Sequence, residues 1–406
     1  MATPNAHAAP PTVERPPGIG LILGLFLSGR LMLLLAFPPE NLITYGDYQH
    51  YFNVAAMSAR GWFPYIHYWY EFPPIFPWLN IAVYWLAGQQ LKNYIVLLAL
   101  LLLLAECANL LLLYRLALRL YGRSRAIATA WVYTALFVPV FFWLGNFDAL
   151  TTFFILLALH GLLSGKKALP AVAIGLGMMV KFLPILLAAT VWRLRGVKAA
   201  LLTGAAALAI GVLFYLPFGL VNPAQTAASL QAQARKSSYQ TVWALVDGNY
   251  TTGNFGPLDD HFDPALATQP VNNPAVIPSW LTLIPFGLLG LYTLTRPRQL
   301  PDANLDAVVF TAFTFVVFIL WSQGWSPQWQ TFLIPLLLLA LPLNRAALFV
   351  IVLGFVNFAE WPVILSRGLT QLLPLTILLR TLLLLLLAWE LFRRLQGGKG
   401  AGEQGS

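Results

Sequence analysis

The sequence predicts an all-α integral membrane protein, a bundle of about twelve transmembrane helices with two long loops on its outer face. Three observations carry that reading. The chain is 59% hydrophobic and only 10% charged, with mean hydropathy +0.71, whereas soluble domains hold roughly 25% charged residues. Apolar runs of roughly 17–25 residues recur along it, enough to cross a hydrocarbon core of about 30 Å. The basic residues fall in clusters between those runs, where they report topology. The formal charge of +9 is scattered among these clusters, so nucleic acid is not an expected partner.

Taken in order, residues 1–17 are small, polar and Pro-rich and read as a disordered cytoplasmic tail. The run from Gly18 to Phe37 is too long for a signal-peptide core and is followed by no small-residue cleavage site, so it is the first span. One transmembrane domain over 18–394 follows, and 395–406 reads as a second disordered cytoplasmic tail. Cys107, the single cysteine, lies within a span and says nothing about redox compartment. Basic clusters stand at Arg15, Arg115 to Arg125, Lys166 and Lys167, Arg193 to Lys198, Arg296 and Arg298, Arg345, and Arg393 and Arg394. If all face the cytoplasm, both termini are inside. The loops 38–92, 144–147, 220–277, 322–328 and 359–370, with a turn near 181, then face outward. This is the topology of an inner (plasma) membrane protein.

Two segments admit more than one reading. Residues 72–88 could span, but Pro73, Pro74 and Pro77 favour a short helix lying along the membrane. Residues 168–192 have basic groups at both ends, so a single crossing would place one of them outside. Two short helices turning outward at Lys181-Phe182-Leu183-Pro184 keep both inside and account for Pro184. Irregular backbone at that depth belongs where it lines a cavity.

Ionisable side chains near a bilayer are scarce and mark function, and here they gather on the outer face. The first long loop offers Asp47, His50, His67 and Glu71, the fourth span opens on Asp148, and the turn adds Lys181. The second long loop adds Arg235, Lys236, Asp247, Asp259, Asp260, His261 and Asp263. Asp259, Asp260 and Asp263 read as solvated loop carboxylates. Asp47, flanked by Tyr45, Tyr48, His50 and Tyr51, and Asp148 stand hard against span ends in apolar sequence and read as functional. A carboxylate suits general-base work on an acceptor hydroxyl, and Lys or Arg suits a phosphate leaving group. His50 and His67 lack metal-ligand spacing, no HExxH or DxD occurs, and no nucleotide-binding glycine pattern is present, so neither metal nor cofactor is expected. Trp62 and Trp69 fit a membrane-interface belt, while Tyr68 and Tyr70 remain open to sugar contact. Arg30, and Arg380 with Glu390, fit snorkelling or helix packing.

With these motifs in place, the chain resembles the GT-C class of membrane glycosyltransferases, in particular the polyprenyl-phosphate-mannose-dependent mannosyltransferases of glycosyltransferase family 87. Asp47 in YGDYQHY matches the family's acidic residue after the first span, and Tyr70-Glu71-Phe72-Pro73-Pro74-Ile75-Phe76-Pro77 matches its proline-rich segment. Gly145-Asn146-Phe147-Asp148, Lys181-Phe182-Leu183-Pro184, Arg235 with Gln240-Thr241-Val242-Trp243, and Ser326-Pro327-Gln328-Trp329 match further motifs in order. The Arg235 region departs from the pattern: it lacks a neighbouring glycine and has Gln240 where an acidic residue is common. The resemblance implies inverting transfer of a sugar, mannose as first guess, from a polyprenyl-phosphate donor to a hydroxyl of a glycolipid or glycan acceptor among membrane lipids. Asp47 would be the base, and Lys181 and Arg235 would hold the donor phosphate. Tyr48, His50, His67, Tyr68, Glu71, Asn146, Asp148, Gln240, Trp243, His261 and Gln328 would contact substrate. The rival reading from another class is a transporter or flippase of lipid-linked sugars. Against it, no matched pair of broken helices in two repeated halves is evident.

Overall fold

A computed structural model describes residues 18–43 and 46–397. Tyr45, the 1–17 tail and all but the first three residues of the 395–406 tail lie outside the described residues. Among those described, the chain is helical, with two isolated bridges and no strand. Six helices are long and apolar enough to cross a membrane: Ile19–Ala36, Leu91–Tyr121, Val197–Val221, Ala303–Trp321, Leu343–Leu365 and Thr370–Leu395. The other expected crossings are shorter or interrupted. Arg123–Ala135 stops where Leu136 turns extended ahead of Phe137–Phe142, and Asp148–Leu163, Ser279–Thr295 and Gln330–Ala340 are compact apolar helices. Much of the apolar surface of Val197–Val221 and Ser279–Thr295 faces outward, as lipid-facing helices require.

The 168–192 region is the expected hairpin. Helix Leu169–Met178 ends before Lys181, a 3₁₀ turn runs Leu183–Leu186, and Leu187–Arg195 returns. The Arg195 guanidinium donates to the carbonyls of Leu162 at 2.6 Å and Lys166 at 2.9 Å. The hairpin's two basic ends therefore sit side by side, with Lys181 at the opposite tip. Residues 72–88 form the short helix Ile75–Leu86, begun at Pro74, and its first N–H donates to Met179 O beside that tip at 2.8 Å.

The two long loops interlock into a cap over this end of the bundle. Tyr70 N–H donates to Ser229 Oγ, Trp69 N–H to His261 O, and Asn222 Nδ2 to Ile66 O, all within 2.9 Å. Trp69 is fully buried, its ring stacked 3.7 Å from His261 and its Nε1 donating to Asp263 O. It is thus a core residue of the cap and no interfacial anchor; Trp62 stays on the surface, edge-on to Phe262. Arg30 does not snorkel. It is buried with its guanidinium 3.3 Å over the Phe26 ring. Arg380 and Glu390 do not pair: Arg380 bridges buried Glu360 at 2.6 Å, and Glu390 bridges Arg345 at 2.9 Å.

Candidate active site

Two glycines bring the chemistry together. A Cβ on Gly46 would lie 2.8 Å from the Gly145 Cα, and Gly145 holds φ +85°, a region that costs other residues strain. The two turns therefore touch backbone to backbone, and Asp47 N–H donates to Gly145 O at 3.1 Å. One turn carries Asp47, and the other runs through Asn146 into Asp148, the first residue of its helix.

Asp47 occupies the N-cap of helix Tyr48–Ala56 yet makes no side-chain cap bond. That forgoes about 1 kcal/mol of helix stabilisation. Its Oδ2 instead accepts from Tyr51 Oη at 3.2 Å, and no cation sits in salt-bridge contact with it among the described residues. Burial pushes the Asp47 carboxyl above the usual aspartate range, opposed by the Tyr51 hydrogen bond and by the charges of Lys236 and Lys181. Burial, reinforced by Asp47, also holds the Tyr51 phenol protonated.

Asp148 is buried and takes the Lys181 ammonium at 2.7 Å. Lys181 lies over the Trp329 and Phe147 rings, 5.4 and 5.7 Å from their centroids. Lys236 makes no ion pair among the described residues; its ammonium is held 4.5 Å from the Tyr239 and Phe255 rings.

Three joined cavities run past these groups. A polar one of about 290 Å³ is lined by Asp47, His50, Glu71, Asn146, Gln240, His261 and Gln328. A neck of about 80 Å³ is lined by Asp47, Asp148, Lys181, Lys236 and Gln328. Beyond it a mainly apolar cavity of about 390 Å³ runs between Phe182, Leu183, Leu186, Phe318, Trp321 and Trp329, with Lys181 and Lys236 at its polar end. Lys236 borders all three, and Asp47 stands where neck and polar cavity meet.

Several expected contacts fall elsewhere. Arg235 is spent on the fold: its guanidinium bonds Asp260 at 2.5 Å, Phe255 O at 2.9 Å and Leu266 O at 2.6 Å. It lines none of these cavities, and Asp260 is its partner rather than a solvated carboxylate. The cation that reaches the cavity is its neighbour Lys236. His67 closes a local turn, its Nδ1 accepting from Phe63 N–H. Tyr48 and Tyr68 are core residues with no exposure, packed against Gly145 and Phe262 respectively. Trp243 donates to Leu320 O and lines none of the three cavities. Lys236, Ser326 and Trp361 line the cavities without having been assigned a role from sequence. For Lys236 the signal was its place among the loop's basic residues. What separates it from Arg235 is burial, which only the packed cap decides.

Fold and site define an integral membrane protein with a row of cavities, mainly apolar at one end, lined by two lysines at the neck and more polar beyond. No family model and no curated protein matches the chain. Among solved structures it is similar to the Archaeoglobus fulgidus oligosaccharyltransferase in the apo form, at 15% identity and a TM-score of 0.45, over 94% of this chain and 56% of that one. The chain thus spans little more than half the length of that enzyme.

Proposed function

We propose that this protein is an inverting GT-C-type membrane glycosyltransferase that moves a sugar, mannose as first choice, from a polyprenyl-phosphate donor to an acceptor hydroxyl. The observation that carries the reading is the order of groups along the cavities. Lys181 and Lys236 line the apolar chamber, and in the neck beside them stands Asp47, a carboxylate that makes no ion pair among the described residues. A lipid phosphate laid along this path has its chain in the apolar part and its phosphate between the two ammonium groups. Its anomeric carbon then stands near Asp47.

The reaction balances without a further co-reactant. The Asp47 carboxylate takes the proton of the acceptor hydroxyl as that oxygen bonds to the anomeric carbon from the face opposite the phosphate. The bond between the anomeric carbon and the phosphate oxygen breaks, and its electron pair leaves on polyprenyl phosphate. Lys181 and Lys236 meet that growing charge, while Asp148 holds Lys181 in place. The elevated Asp47 pKa makes it a stronger base than an exposed aspartate. Positive-inside topology sets this end of the bundle on the outer side of the plasma membrane, with both termini cytoplasmic.

The test uses the purified chain in nanodiscs with polyprenyl-phosphate mannose and candidate acceptors. Acceptor-dependent release of polyprenyl phosphate, with a product of inverted anomeric configuration by NMR, is expected. Retained configuration would overturn the mechanism. Movement of the intact donor across a bilayer with no sugar transfer would instead establish a transporter.

A further inference from the structure

The two ammonium groups of the neck are held in different ways. Lys181 carries its own counter-ion, the Asp148 carboxylate at 2.7 Å. Lys236 makes no ion pair among the described residues and lies instead against two rings, 4.5 Å from the centroids of Tyr239 and Phe255. The difference is chemical. A carboxylate takes up the N–H donors of an ammonium and cancels its charge, whereas a ring face attracts the cation and does neither. Lys236 is therefore held in place with its charge and its donors still on offer.

The Tyr239 ring is fixed more firmly than a cavity wall needs. It is 5% exposed and lines both the neck and the apolar cavity. Two glycines from separate segments make room for it. A Cβ on Gly324 would overlap the ring and stand 2.7 Å from its Oη, and a Cβ on Gly253 would stand 2.7 Å from its edge. A Cβ on Gly253 would also collide with Lys236 Cε. The backbone is pinned as well: Tyr239 N–H donates to Gln323 O, and Trp325 N–H donates to Tyr239 O, both at 3.1 Å. The next residue, Gln240, takes φ +51°, a left-handed conformation that strains a residue with a side chain. Two contacts keep it there. Its Nε2 donates to Glu360 Oε1 at 2.9 Å, and its carbonyl accepts from Arg380, the ion-pair partner of Glu360. Strain maintained by the surroundings points to function. Here it lets Gln240 line the polar cavity while Tyr239 lines the neck.

We infer that Tyr239 is a positioning residue for the phosphate site: its ring, seated on Gly253 and Gly324, holds the Lys236 ammonium at the neck without neutralising it. Phe255 supplies the second ring. The Arg380–Glu360 pair, which the transfer step itself does not use, serves this platform by keeping Gln240 in its left-handed turn. The inference rests on the lipid-phosphate reading above and adds what aims the unpaired cation of that site.

The experiment titrates the full-length protein in nanodiscs with undecaprenyl phosphate, read by tryptophan fluorescence, alongside thermal melts. Tyr239→Leu, which removes the ring, should weaken binding about three- to tenfold. Tyr239→Phe, which keeps the ring, should stay within about twofold of wild type. Added to Lys236→Met, Tyr239→Leu should cause no further loss, because the group it positions is already gone. A double variant whose loss equals the two single losses combined overturns the inference, since the ring then acts on its own. So does unchanged binding in Tyr239→Leu where Lys236→Met alone weakens it. Lys236→Met with undamaged binding strikes the lipid-phosphate reading, and this inference falls with it. If Tyr239→Leu fails to fold, Gly253→Ala takes its place, at a position where φ is not left-handed and both neighbours are exposed. Its methyl should push Lys236 aside, with the same loss alone and no further loss beside Lys236→Met.

Discussion

Two charged clusters at opposite ends of the bundle are built on opposite principles. At the end away from the loops, Arg193 and Asp306 form a bidentate pair, with Nε to Oδ2 at 2.7 Å and Nη2 to Oδ1 at 3.0 Å. Arg193 Nη1 also donates to the carbonyl of Thr293 at 2.7 Å, so the pair ties helix Leu187–Arg195 to Ser279–Thr295 and Ala303–Trp321. Both residues are buried and satisfied. At the loop end, among the described residues, Asp47 is hydrogen-bonded by Tyr51 with no ion pair, Lys236 lies against aromatic faces with no ion pair, and Glu71 and His261 keep open atoms. Charge that is fully paired holds helices together, while charge left open is what a substrate can use.

The largest effect on the fold is expected at the closed cluster. Asp306→Ala leaves the Arg193 guanidinium buried without its partner and should destabilise the protein by about 3–5 kcal/mol. Transfer per folded molecule should stay unchanged. Thermal unfolding in detergent alongside activity of the folded fraction checks both halves, and lost specific activity would break the division between the two ends.

A sharper contrast lies in adjacent residues. Lys236→Met should weaken lipid-phosphate binding about tenfold to a hundredfold, the worth of a charged hydrogen bond, with little change in stability. Arg235→Met should do the reverse, since it abandons Asp260 and the carbonyls of Phe255 and Leu266. Lipid-phosphate titration and thermal melts on both variants decide it; matching profiles would erase the distinction.

These neighbours also show how far the sequence could be read. The hairpin at 168–192 was legible because basic residues at both ends forbid one crossing and Pro184 marks the break. The short helix before Leu86 was legible from Pro73, Pro74 and Pro77. Asp47 and Asp148 stood out as carboxylates pressed against apolar runs, and the structure places their turns in contact. The Arg380–Glu360 pair was not legible, because its partners come from separate helices. Nor was the burial of Trp69, His261 and Arg235, which depends on one long loop docking on the other through contacts far apart in the chain. Local pattern reports which residues are unusual; only packing reports which of them are already used.

The smallest expected effect is on pH dependence. In the proposed mechanism transfer requires Asp47 ionised, and burial raises its pKa. The rate should therefore fall, as pH drops, through a value above that of an exposed aspartate, about 3.9. Tyr51→Phe removes a hydrogen bond to the carboxylate and should move this acid limb higher still, with only a modest loss of rate at neutral pH. A pH profile of kcat/KM for both proteins checks the shift, and an acid limb that moves lower would contradict the assignment.

The most direct measurement of the central claim, that Asp47 is the open base of a lipid-phosphate glycosyltransferase, is Asp47→Asn in nanodiscs with polyprenyl-phosphate sugar and acceptor. The amide keeps the shape and can still bond Tyr51, but it cannot take the proton. The account predicts transfer lowered by about 10²–10⁴, with polyprenyl-phosphate binding and the unfolding temperature close to wild type. Near-wild-type turnover would contradict it.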